Sequence, residues 1–113
     1  MKDTKMYICV LDEFPDYMVP TLVAHSVLAA HFTFSDNSDV YNYWLKDSFK
    51  KVVCRVNQKE FEKIRSTLNC HVGFEKHTLE GKDSCLVVEP VEYDKIPNVL
   101  KFAKTWKPKE IAV

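Results

Sequence analysis

A chain of 113 residues that is 46% apolar and 28% charged, with two glycines, has the core-forming side chains of one folded domain and the length of no more than one. Disordered, collagen-like and low-complexity chains are excluded by that composition. The formal charge is zero but segmented: residues 1–45 carry two lysines against six acids, 46–65 seven basic residues against three acids, 66–94 two against six and 95–113 five against one, or −4, +4, −4 and +4.

In chain order, Lys5–Leu11 (KMYICVL) is a continuous apolar run, so a first strand over 5–11 covered on both faces is predicted. Asp12–Met18 (DEFPDYM) reads as a loop. Pro20 suits the first turn of a helix, and Val19–Phe32 is almost free of charge, which predicts a helix packed nearly all round. Asp36 or Ser38 can cap a short second helix holding Val40, Tyr41, Trp44 and Leu45. A second strand is predicted over 51–56. Asn57 and Glu60 have the spacing of an N-cap with its reciprocal acid, leading a third helix with Phe61, Ile64 and Leu68 on one face. A third strand is predicted over 71–78, a turn at Glu80-Gly81-Lys82 and a fourth, fully buried strand over 84–89. Asp94 can cap a last helix through Val99, Leu100, Phe102 and Ala103. The order β-α-α-β-α-β-β-α makes one α/β domain. Helical crossovers imply parallel pairing, strands three and four imply an antiparallel hairpin, and a mixed four-stranded sheet with helices on both faces follows.

Cys9, Cys54, Cys70 and Cys85 lie in or beside apolar runs and none belongs to a CxxC pair, so reduced buried thiols in a cytoplasmic protein are expected and zinc is not. His25 and His31 are six apart, the wrong spacing for two metal ligands on one helix face. With Gly73 and Gly81 the only glycines, no phosphate loop can form, and no cofactor is expected. The start, MKDTKMYICVLDEF, reads as a strand and not as a signal peptide. The apolar stretch Met18–Phe34 is broken by Pro20, Thr21, His25, Ser26 and His31, short of the ~20 clean residues of a membrane span, so no membrane association is expected.

KMYICVL as a first strand, VPTLVAHSVLAAHF as a helix with a histidine followed by small residues, YWLKDSFKKVVCRVNQKEFEKI as a Trp-bearing helix leading to a strand and a capped helix, and LVVEPVEYDKIPNVLKFAK as the closing strand, break and helix together resemble the type II peptidyl-tRNA hydrolase family. The resemblance spans nearly the whole chain. It implies that family's fold and, as a reaction, removal of peptides from peptidyl-tRNA. The sequence departs from the family's pattern at two places. Met18 and Leu22 stand where the family has a lysine and a glutamine, leaving His25, and His77-Thr78-Leu79-Glu80 stands where an Asp-Ala-Gly-x-Thr stretch is expected. A thioether cannot replace a cationic amine in transition-state stabilisation.

Alternation along the third strand puts His71, Gly73, Glu75 and His77 on one face. Glu75 and His77 can join His25 where the family site would lie, as an orienting carboxylate and two imidazoles suited to proton transfer; His25, His77 and Glu75 are the candidate catalytic residues. The plainer reading makes His25 a hydrogen-bonded rim residue and the strand face solvated. Lys46–Arg65 interleaves seven cations with Trp44, Phe49 and Phe61, and Lys50, Lys51 and Arg55 are the candidate nucleic-acid or ligand contacts. The loops framing the site, 12–16 and 75–83, are acidic, an arrangement that repels tRNA. The expected function is a nucleotide-, RNA- or protein-binding module with reduced or absent hydrolase activity. The alternatives are an active aminoacyl- or peptidyl-tRNA ester hydrolase using its histidines and a homo-oligomeric interaction protein. Expected partners are tRNA or a nucleotide, a protein, and a second copy of the chain, with Tyr41-Asn42-Tyr43-Trp44 as an interface anchor.

Overall fold

A run of apolar residues with no polar alternation has to lie between two layers, and Thr4–Leu11, strand β1, is buried over almost all its length. The computed structural model of the chain describes residues 3–75 and 81–109. Around β1 stand α1 (Val19–Phe34), led by a 3₁₀ turn at Asp16–Met18, α2 (Asp39–Lys46), β2 (Lys50–Val56), α3 (Gln58–Thr67), β3 (Cys70–Glu75) and β4 (Lys82–Val88). Then come β5 (Val91–Glu92), a 3₁₀ turn at Tyr93–Lys95, α4 (Asn98–Lys101) and β6 (Lys104–Thr105).

The strands form one mixed sheet in the order β3-β4-β1-β2-β6, with β5 pairing beside the start of β1. β1 and β2, joined through two helices, run parallel; β3 and β4 form the antiparallel hairpin. Among the described residues the sheet has six strands where four are predicted. The two additions, β5 and β6, are two-residue backbone pairings, too short to leave an alternating pattern of side chains.

Cys70 and Gly73 are an odd number of residues apart and project to opposite faces of β3. Gly73 faces Ser26 of α1, while Cys70 Sγ lies 3.9 Å from the Ile64 carbonyl of α3, so helices cover both faces. The core between them includes Met6, Ile8, Leu22, Phe34, Phe61, Ile64 and Leu86. Local chemistry sets the helix starts. The Ser38 hydroxyl accepts from the Tyr41 N–H at 3.1 Å and donates to Glu89 at 2.6 Å. Asn57 and Glu60 exchange side-chain bonds with each other's backbone N–H as a complete capping box.

Three expectations need correction, and a fourth runs past the described residues. The last helix is a 3₁₀ turn followed by the four residues of α4, because Pro97 lacks an N–H and disfavours helical geometry at Ile96. The third strand is described as far as Glu75, and the rest of its predicted span, His77 and Thr78 included, lies outside the described residues. Tyr41 and Trp44 do not anchor an interface: both are core residues, their rings 5.5 Å apart, and the Trp44 indole donates to the Lys50 carbonyl at 2.7 Å. Finally, α1 is not packed all round. Its inner stripe, Leu22, Ser26, Ala30 and Phe34, is buried against the sheet, but Leu28 and Phe32 are 65% and 72% exposed. By length and composition alone, Asp16–Phe34 does reach what a membrane span requires.

Candidate functional site

His25 lies in the second turn of α1, and Glu75 closes the described part of β3. The Nδ1 atom of His25 is 3.2 Å from both Glu75 carboxylate oxygens. A carboxylate only accepts, so in the neutral imidazole Nδ1 carries the hydrogen and Nε2 keeps a lone pair. The carboxylate is shielded and the imidazole open, with side-chain exposures of 10% and 59%. That is the arrangement in which a buried acid orients an accessible base.

The backbone brings the two together. Gly73 has no side chain, so β3 lies against Ser26, the residue after His25. Between Gly73 and Phe74 the pairing with β4 skips Ser84, a β-bulge whose extra residue donates its hydroxyl to the Gly73 carbonyl at 3.3 Å. Farther along the same face, Nδ1 of His71 and the Thr33 hydroxyl are 2.8 Å apart, and burial lowers the His71 pKa.

An open pocket of about 280 Å³ is lined by Tyr17, Met18, Thr21, Leu22, His25 and Glu75. Met18 and Leu22 give it apolar surface, the His25–Glu75 pair and the Thr21 hydroxyl give it hydrogen-bonding groups, and Tyr17 stands at the mouth, 83% exposed. Of the three candidate catalytic residues the structure brings His25 and Glu75 together; His77 is outside the described residues. Tyr17 and Thr21 went unmarked in the sequence because a 3₁₀ turn, which has no hydrophobic period of its own, carries Tyr17 to the mouth.

Lys50, Lys51 and Arg55 do not form one patch. Lys50 and Lys51 are consecutive in a strand and project to opposite faces. Lys50 lies 3.5 Å from Asp3 and over the Tyr93 ring. Lys51 caps the Phe49 ring at 3.2 Å, donates to the Phe49 carbonyl at 2.7 Å, and has a pKa lowered by burial. Arg55 pairs with Asp16 at 3.2 Å, donates to the Lys107 carbonyl at 2.5 Å and stacks over Trp106. The acidic rim is partly neutralised as well, since Asp16 is paired with Arg55 and Asp83 with Arg65 at 3.1 Å.

Among the described residues no three His, Cys, Asp or Glu side chains gather as metal ligands. Compared with protein-family models and with curated proteins, the chain matches none.

Proposed function

We propose that the chain is a divergent protein of the type II peptidyl-tRNA hydrolase kind, acting in the cytoplasm as a binding module for a nucleotide or RNA end. The observation that carries this reading is the His25–Glu75 pair on the wall of the pocket beneath Tyr17. An exposed aromatic ring stacks on a base, an imidazole lone pair accepts from a base amino or imino group, and Met18 and Leu22 supply an apolar floor. Four free cysteines suit a reducing compartment.

Binding is favoured over turnover by what stands at Met18 and Leu22. These two pocket residues occupy the positions where the resemblance expects a lysine and a glutamine. Loss of one oriented group removes about 3 kcal/mol of transition-state stabilisation, roughly a hundredfold in rate. The test is titration with adenosine and cytidine monophosphates, followed by the His25 ring resonances. Saturable shifts that vanish in Tyr17→Ala are expected; no shift with any mononucleotide refutes the module. A deacylation assay on peptidyl-tRNA runs beside it. Turnover comparable to a bona fide hydrolase, abolished by His25→Ala, would replace binding with the ester-hydrolase reading, which the Nδ1–carboxylate geometry favours.

A second reading, self-association, is supported by α1. Val19–Phe34 contains no Asp, Glu, Lys or Arg, and its outer face presents Ala24, Leu28, Ala29 and Phe32. A two-fold contact sets a patch against itself, which a charge-free patch tolerates. Sedimentation as a dimer that Leu28→Lys converts to a monomer is expected; a monomeric wild-type chain refutes it.

A further inference from the structure

The two basic blocks of the sequence, far apart in the chain, meet in the fold. β6 pairs with β2, setting Lys104 opposite Arg55 and Thr105 opposite Cys54. Residues 98–109 (NVLKFAKTWKPK) contain Lys101, Lys104, Lys107 and Lys109 and no acid. Among the described residues no ion pair engages any of these four. Of the acids on the adjoining elements, Asp16 is paired with Arg55 and takes the Lys109 N–H, while Glu60 in the capping box and Glu62 beside Gln58 accept from neutral donors and keep their charge on α3.

The arm is held along its length. The Trp106 N–H donates to the Val53 carbonyl at 2.8 Å, Arg55 donates to the Lys107 carbonyl at 2.5 Å, and the Lys109 N–H donates to Asp16 at 2.6 Å. A strand of positive charge fixed in this way binds without first being ordered. At one end Phe102, 77% exposed, flanks a hollow of about 260 Å³ that it shares with Glu60, Lys63, Ile64, Asn98 and Val99, so one carboxylate and one ammonium stand on its wall. At the other end Lys109 is bonded to Asp16, next in sequence to Tyr17 at the mouth of the His25 pocket.

We propose that residues 101–109 form a phosphate track for single-stranded RNA, with Phe102 as a base-stacking platform at its start and the His25 pocket at its end. The proposal extends the RNA reading of the pocket and rests on it only for where the strand ends. Unpaired RNA is the occupant that matches both parts of the surface: the lysines follow phosphates, and the exposed ring accepts any base by its face. Lys101 closes α4 and the extended part begins at Lys104; Lys104 to Lys109 spans about 16 Å at the rise of an extended chain, within the reach of single-strand sites of roughly four nucleotides.

The experiment is fluorescence anisotropy of a labelled oligouridylate ten-mer with the full chain, across 50 to 200 mM salt. The lysine variant Lys101→Gln with Lys104→Gln and Lys107→Gln changes exposed side chains, and its thermal melt checks that it folds. The slope of log affinity against log salt is expected to shrink by about 2, at about 0.7 for each phosphate contact on a single strand. Phe102→Ala is expected to weaken binding about fivefold or more while leaving that slope unchanged. An unchanged slope in the lysine variant overturns the track. So does equal binding of an oligoglutamate peptide of the same length, which would mark a surface for acidic peptides. The arms separate the two proposals. Loss of the salt slope with no mononucleotide effect at His25 keeps the track and removes the pocket, and mononucleotide binding with an unaffected slope does the reverse.

Discussion

Gly73 of β3 and Ser26 of α1 approach so closely that a β-carbon built on the glycine falls 2.1 Å from the serine hydroxyl oxygen and 2.8 Å from its Cβ. The hydroxyl can swing aside, but the Cβ cannot without moving the helix. Because His25 precedes Ser26 and Glu75 is two residues beyond Gly73, this one approach sets the distance between imidazole and carboxylate.

Gly73→Ala is therefore expected to destabilise the fold by about 1–3 kcal/mol, as overpacking does, and to separate His25 from Glu75. Urea denaturation measures the first effect, and the His25 ring resonances report the second. Adding Ser26→Gly should restore the resonances while leaving a helix-glycine cost of about 1 kcal/mol. A single Gly73→Ala variant with wild-type stability and an unmoved His25 would contradict this account.

What could be read in advance follows from which interactions leave a periodic trace. The strand over 5–11 is a double-sided apolar run and that over 51–56 a valine-rich one, and they appear as β1 and β2, each starting one residue earlier. The convergence of Glu75 with His25 was legible because strand alternation and the preceding helix confine both to one pole. β5 and β6 were not, since two-residue pairings are satisfied by backbone atoms whatever the side chains. The outer face of α1 misled: absence of charge shows that a surface is apolar, not that this chain covers it. Arg55 misled in the other direction, because its partners, Asp16 and the Lys107 carbonyl, lie 39 and 52 residues away.

The complete capping box at the start of α3 gives a local test. Asn57→Ala removes the acceptor that takes the Glu60 N–H at 2.8 Å and is expected to cost about 1 kcal/mol. Asn57→Ser should recover most of it in the same denaturation series.

Alkaline pH should unfold the protein through its thiols. Burial pushes Cys85 and Cys70 up to about 11 from an ordinary value of 9.0. The folded chain therefore holds these protons where the unfolded chain releases them. The stabilisation is complete below pH 9 and is lost as pH rises through 11, at most about 2–3 kcal/mol for the fully buried Cys85. Cys85→Ala, if folded, should flatten the stability profile over that window. In the native protein at pH 8 a thiol reagent should label Cys70, the half-buried one, before Cys9, Cys54 or Cys85.

The last expectation concerns the mooring of the C-terminal arm. Asp16 takes the Lys109 N–H on one oxygen and Arg55 on the other. The Lys109 amide first, and then Arg55, hold its carboxyl below the ordinary 3.8. A folded pKa depressed in this way means that the contribution is present above the ordinary carboxylate value and is lost as pH falls through the lower, folded one. The arm should thus stay docked through neutral and mildly acidic pH and come free only under strong acid. Hydrogen exchange of the Lys109 and Trp106 amides across pH, referenced to intrinsic rates, reads this directly. Asp16→Ala should give fast exchange at Lys109 even at pH 7, and Asp16→Asn, which keeps an acceptor oxygen but no charge, should fall between. Equal protection of Lys109 in all three proteins would mean that Asp16 does not hold the arm, and that the Arg55 and Trp106 contacts suffice.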